Sequence, residues 1–470
     1  MKQIPQNLIS TISFTIVIGS ISFPTFFINN GIFQSLILLV ISAVITDNAS
    51  QIYISKLSQD FKTIEDIVKH FLGSKWKMGY QIVKIIYLLQ LSLIYILYIN
   101  EFLRSIINQF LDQQHQLDMK VIALIISPFI FTLYLIKKVE IYMKASYVNL
   151  LILLLIFILY IYLSASSIHQ SQIIDLMSQF DLSQIPSLLS QNNLSFQFQI
   201  YLPDLLVFSN ATIKNKQISR ITIIISFFYF FFCGLFGSLA LSSQGIKKGI
   251  SGLFINIYDN KPITLIMKLS MIFHVLTNMG YKFIVLRKTL HQLILKKKNL
   301  DSQKKKKFEL CLQLFLSLLL ILLSISTTSQ QNSFIIITGS ITAFFILYLV
   351  PYNLKYCSYQ KKLKYVEQKK SSQKQLEIIL QNHQQQVLMK ENSNCQKFLV
   401  CLSINNTISN IKNIEYQNNS EAQIGYYLKK RQLIKRNVST IEKYKDETMI
   451  YIGYTMLFYG LYFIVIKNAF

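Results

Sequence analysis

Apolar residues run through this chain in blocks long enough to cross a bilayer, separated by short polar turns. About twenty apolar residues span the hydrocarbon region, and a helix satisfies its own backbone there. The blocks place spans at 8–28, 32–54, 79–103, 120–137, 142–164, 187–208, 221–242, 263–285, 308–326, 334–356 and 448–467. The expected fold class is all-α polytopic membrane protein, with about eleven transmembrane helices. The first block follows a single Lys2 and lacks a small-residue cleavage site, so it reads as a retained span.

Two blocks are interrupted in a way an ordinary span is not. Gly19, Ser20, Ser22 and Pro24 crowd the middle of the first. Proline withholds one helical hydrogen bond and crowds the carbonyl a turn back. Glycine lowers the cost of leaving helical geometry. The sixth block holds Asn192, Asn193, Ser195, Gln197, Gln199 and Pro203. A loop would carry such residues equally well, and a kinked packing face would explain the first cluster. Charge favours a crossing at 187–208, because removing it would invert every later basic loop.

Irregular backbone at bilayer depth is tolerated where it lines a cavity. The first and sixth spans, both breakable and five apart, fit a 5+5 inverted-repeat core of the leucine-transporter type plus one further helix. The bared N–H groups of a half-helix attract a carboxylate, and carbonyls at a half-helix C-terminus attract an ammonium or a cation. An amino acid zwitterion suits both. The candidate substrate residues are Val17, Ile18, Gly19, Ser20, Ile21, Ser22, Ser195, Phe196, Gln197 and Gln199.

In the eighth span, Ser270, His274, Thr277, Asn278 and Tyr281 share one helical face. Thr277 and Asn278 are candidates for an ion or proton site, with Ser13 on the first span. His274 is either a proton carrier or a satisfied interhelix hydrogen bonder. Lys268 and Lys282, near the ends of this span, are expected to snorkel, and Lys84 and Glu101 of the third span to sit at the interface.

Charge then sets orientation. The chain has 47 Lys and Arg against 22 Asp and Glu, a net +25, and the excess lies in alternate loops. Loops 55–78, 138–144, 209–220 and 286–307 carry it, which places them and the N-terminus in the cytoplasm. Lys247, Lys248 and Lys261 conflict with this, falling in a loop assigned outside. The polar segment 357–447 reads as a cytoplasmic insertion, largely disordered. The domain plan is therefore a transporter core at 1–356, a polar loop at 357–447 and a last helix at 448–470.

Composition removes other classes. Five cysteines without paired spacing exclude a disulfide framework or a zinc site, and the six histidines have no metal-ligand spacing. No phosphate-binding glycine loop occurs, which argues against ATP-driven pumping. The basic excess fits lipid headgroups better than nucleic acid. Neither paired acids nor a His-rich motif suggests an enzyme.

Several motifs carry a resemblance. Val17-Ile-Gly-Ser-Ile-Ser-Phe-Pro24 resembles the Gly-small-Gly-Ile-x-x-Leu-Pro first helix of the amino acid/auxin permease family, with Val17 in place of the first glycine. Asn30-Gly31, Thr63-Ile-Glu-Asp-Ile67, Phe71-Leu-Gly73, Tyr98-Ile-Asn-Glu-Phe-Leu103, Gln199-Ile-Tyr-Leu-Pro203, Gly234-Leu-Phe-Gly237, Gly339 and Pro351 follow in the family's order. The family includes neutral amino acid transporters of plasma, vacuolar and lysosomal membranes. The resemblance implies secondary amino acid transport by alternating access, with no cofactor and H+ or Na+ as coupling ion. Ser13 stands where sodium-coupled members have an Asn. An amino acid sensor with a transporter fold, signalling through 357–447, is the alternative. Oligomeric state is left open.

Overall fold

The computed structural model describes residues 6–57, 61–111, 116–136, 138–165, 180–181, 184–196, 198–206, 212–242, 261–294, 302–326, 339–360 and 378. The expected span at 448–467 and nearly all of the 357–447 loop lie outside them. The described residues through Leu354 form one compact unit, and those from Lys355 belong to a second.

The regular elements are helices: α1 (Gln6–Thr15), α2 (Ile18–Asn30), α3 (Ile32–Lys56), α4 (Ile64–Leu72), α5 (Ser74–Asn108), α6 (Met119–Leu135) and α7 (Val139–Ala165). There follow α8 (Ile185–Phe196), α9 (Leu202–Leu206), α10 (Thr212–Ser242), α11 (Lys261–Ile294) and α12 (Ser302–Ser326). The last is α13 (339–360), which widens to a π-helix over Phe344–Leu349. The helices α3, α5, α7, α10 and α11 are each long and apolar enough to cross a bilayer, and the bent pair α1–α2 adds a sixth. α6 and the apolar part of α12 are shorter.

Solvent preference is turned inside out, as hydrocarbon requires. Leu151, Leu154, Leu155 and Ile158 on α7 and Leu314, Phe315, Leu318 and Leu322 on α12 face outward. Asn100, Asn149, Asn192, Gln199 and His274 are buried. Two glycines do backbone work. Gly31 (φ 82°) separates α2 from α3, and Gly73 (φ 99°) ends α4, both in the left-handed region where a side chain is strained.

The two halves repeat each other's contacts. Ser10 Oγ on α1 meets Ser146 Oγ on α7 at 2.9 Å, and Ser190 Oγ on α8 meets Ser340 Oγ on α13 at 3.0 Å. Tyr229 on α10 donates its hydroxyl to Leu153 O on α7 at 3.1 Å, and Tyr53 on α3 donates to Ile346 O on α13 at 2.8 Å. Each pair joins the first or second span of one half to the fifth span of a half. The two serine pairs lie 136 and 150 residues apart along the chain, as a 5+5 repeat demands, while the two tyrosine bonds cross between the halves.

α4 is a short amphipathic helix. Thr63 Oγ1 caps it by accepting from Asp66 N at 3.2 Å. Its Glu65 reaches Lys84 on α5 at 2.7 Å, with both side chains buried. Lys84 is thus paired within the protein.

Candidate substrate and ion site

The first helix breaks at Ile16–Val17, and its two pieces meet at 44°. Val17 N turns back to Thr15 O at 3.0 Å, and Ser20 Oγ donates to Val17 O at 2.7 Å. Val17, at the N-cap, offers no side-chain cap to α2, whose first-turn N–H groups have no intrahelical acceptor. Pro24 has no N–H to offer the carbonyl four residues earlier, Ser20 O. Tyr160 of α7 takes that role, donating its hydroxyl at 2.7 Å.

Two further carbonyls at the break are held from outside. Ile16 O receives His274 Nε2 of α11 at 2.8 Å, and Phe14 O receives the Tyr201 hydroxyl at 2.9 Å. A carbonyl only accepts, so Nε2 carries the hydrogen. Nδ1 is then the acceptor facing Asn278 Nδ2 at 3.5 Å, a nitrogen that also donates to His274 O at 2.9 Å. Among the described residues, Asn278 Oδ1 and Ser13 Oγ are buried without a hydrogen-bond partner.

The second break lies between α8 and α9. Phe198 N turns to Phe196 O at 2.8 Å, and Tyr201 N to Phe198 O at 3.2 Å. Gln199 Nε2 spans to Thr46 O of α3 at 3.4 Å, leaving its Oε1 buried and without a partner. Aromatic rings join the breaks. Phe230 of α10 stacks on Phe23 at 4.9 Å between centroids and meets Phe196 edge-on at 5.2 Å. Tyr281 stacks on Phe14 at 4.3 Å and meets Tyr201 edge-on at 5.9 Å.

Of the residues singled out in sequence, Val17, Ile18, Gly19, Ser20, Ile21 and Ser22 form the first break and the start of α2. Phe196 and Gln199 flank the second break, and Gln197 lies outside the described residues. Ser195 spends its hydroxyl on Gln191 O at 3.0 Å, and Thr277 on Phe273 O at 2.9 Å, both within their own helices. His274 makes an interhelix hydrogen bond, to Ile16 O.

Lys268 and Lys282 do not snorkel. Lys268 is buried and donates to Ser105 Oγ at 2.7 Å. Lys282, 2% exposed, bonds the Tyr95 hydroxyl, with its ammonium 4.5 Å from the Tyr95 ring centre and 5.6 Å from that of Tyr201. α11 runs on to Ile294, three turns beyond Lys282, and the Lys282 side chain is enclosed by protein. Tyr160, Tyr201, Tyr95, Phe230 and Thr46 were not anticipated. The rule that a proline orphans the carbonyl four residues back identifies Ser20 O, but not which tyrosine meets it.

Residues 3–410 match the family described as transmembrane amino acid transporter protein. The chain belongs to that family. Among solved structures, it resembles a Na+-coupled sialic acid symporter in a substrate-bound, outward-open state. The TM-score is 0.54 at 13% identity, covering 73% of this chain and 78% of that one. At that identity the likeness concerns the fold, which is the leucine-transporter-like 5+5 arrangement seen above. No curated protein matches the chain in sequence. The protein is thus a multi-pass integral membrane member of an amino acid transporter family.

Proposed function

We propose that the protein is a secondary active amino acid transporter working by alternating access, with H+ as the coupling ion. The substrate lies between the two breaks. Its carboxylate meets the N–H groups at the start of α2, and its ammonium meets the second lone pairs of carbonyls at the ends of α1 and α8.

The observation that carries the coupling reading is the His274–Ile16 contact at 2.8 Å. It ties the one buried histidine among the described residues to the broken backbone. Imidazole changes charge near neutral pH. A second proton would enter at Nδ1, which now faces the Asn278 amide nitrogen. Turning that amide over would present Oδ1, which has no other partner. Protonation would thereby rearrange α11 against the first break. Membranes with an acidic outer or luminal side, plasma or vacuolar/lysosomal, supply the gradient.

Sodium coupling is supported by two other features, the partnerless Ser13 Oγ and Asn278 Oδ1, and by the sodium-coupled fold relative. Uptake of labelled amino acids into proteoliposomes, with either a pH or a sodium gradient imposed, separates the two. Proton coupling predicts accumulation driven by the pH gradient. It also predicts that His274→Gln, which can still donate to Ile16 O but cannot titrate, exchanges substrate without accumulating it. Sodium-driven accumulation, or gradient-driven accumulation by His274→Gln at the wild-type level, would overturn it. A non-transporting sensor would show binding and no flux.

A further inference from the structure

Among the side chains the structure describes, buried charge does not balance: Glu65 is the one buried acid, and it is committed to Lys84 at 2.7 Å. Lys268 and Lys282 are buried with no carboxylate within reach among the described residues. Lys268 lies near the start of α11 and bonds Ser105 in the last turns of α5. Lys282 is different, because its surroundings belong to the substrate site. Its ammonium rests against the rings of Tyr95 and Tyr201. Tyr201 ends the second break and holds Phe14 O at the first. Tyr281, beside Lys282 in sequence, packs on both Phe14 and Tyr201.

A desolvated ammonium is stabilised by an anion, and a hydroxyl with two ring faces offsets only part of the lost hydration. A lysine kept inside a membrane bundle in this condition marks a binding function by default. The zwitterion's own charges are already matched: N–H groups of α2 take the α-carboxylate, and carbonyls at the breaks take the α-ammonium. A side-chain carboxylate on the substrate would supply the charge that Lys282 lacks among the described side chains.

We propose that Lys282 is a specificity-determining residue that receives a side-chain carboxylate, so that the substrate class is acidic amino acids. This rests on the transporter reading above. Tyr95 holds the ammonium in place between turnovers, and the substrate carboxylate exchanges for the tyrosine hydroxyl when it enters. The tyrosine ring stays as a wall. The neutral amides glutamine and asparagine have the same shape without the charge, so they define the discrimination.

The test is a competition panel on the full chain in proteoliposomes. Uptake of labelled L-glutamate is measured against unlabelled L-aspartate, L-glutamine, L-asparagine and L-leucine. Glutamate and aspartate are expected to compete at least tenfold better than their amides. In Lys282→Met, which fills the same space without charge, that preference should fall to near unity while glutamine uptake persists. An apolar side chain of similar volume at a buried charged position is well tolerated, and a thermal melt checks this. Wild-type uptake that favours neutral amino acids sinks the acidic assignment and leaves the transporter reading intact, as does an unchanged preference in Lys282→Met. Saturable uptake of no amino acid sinks both.

Discussion

Gly19→Ala should disable the site while leaving insertion into the membrane unaffected. A Cβ at residue 19 would lie 2.2 Å and 2.5 Å from two ring carbons of Phe230 and 2.7 Å from Phe23. Carbon atoms pack at about 3.5–4.0 Å, so the Phe230 ring must retreat by roughly 1 Å. It has little room, since it stacks on Phe23 at 4.9 Å and abuts Phe196 at 5.2 Å. Pushing it therefore disturbs both breaks together. Overpacking of this kind costs about 1–3 kcal/mol. Charged against the substrate-ready arrangement, that lowers its population about 5- to 150-fold. The assay is the initial uptake rate in proteoliposomes, normalised to inserted protein, with a thermal melt beside it. Gly19→Ala/Phe230→Leu should recover much of the loss, with a coupling of about 0.5–3 kcal/mol. Wild-type uptake by Gly19→Ala, or a loss that Phe230→Leu leaves untouched, would refute the packing argument.

Tyr160→Phe strands Ser20 O at the proline-made gap and should cost about 0.6–1.7 kcal/mol, the range for hydrogen bonds between membrane helices. A lower melting temperature with a matching fall in uptake checks it, and no change would mean that Ser20 O finds another donor. Glu65→Gln leaves Lys84 buried without its counter-ion and should cost about 3–5 kcal/mol in a detergent melt. Replacing both residues with Met should return most of that, which a contact of merely steric value would not.

The sequence made the first break legible because Gly19 and Pro24 are backbone events, and backbone rules are local. It made the polar face of α11 legible because helical spacing is local too. Lys282 was misjudged for the opposite reason. Distance from a span end is readable in one dimension, but whether Tyr95 and Tyr201 wall the residue off is not. Tyr160 and Phe230 sit in apolar aromatic runs whose members look alike until packing assigns one of them to Ser20 O and another to Gly19. The Ser195 hydroxyl is consumed by its own helix through Gln191 O, a competition that composition does not reveal.

A structure determined with a bound amino acid tests the central claim most directly. The account predicts the ligand between residues 16–22 and 197–201, its α-carboxylate on the N–H groups at the start of α2 and its ammonium on carbonyls of the α1 and α8 ends. A ligand bound away from both interruptions, or two unbroken helices packed with no space between them, would contradict it.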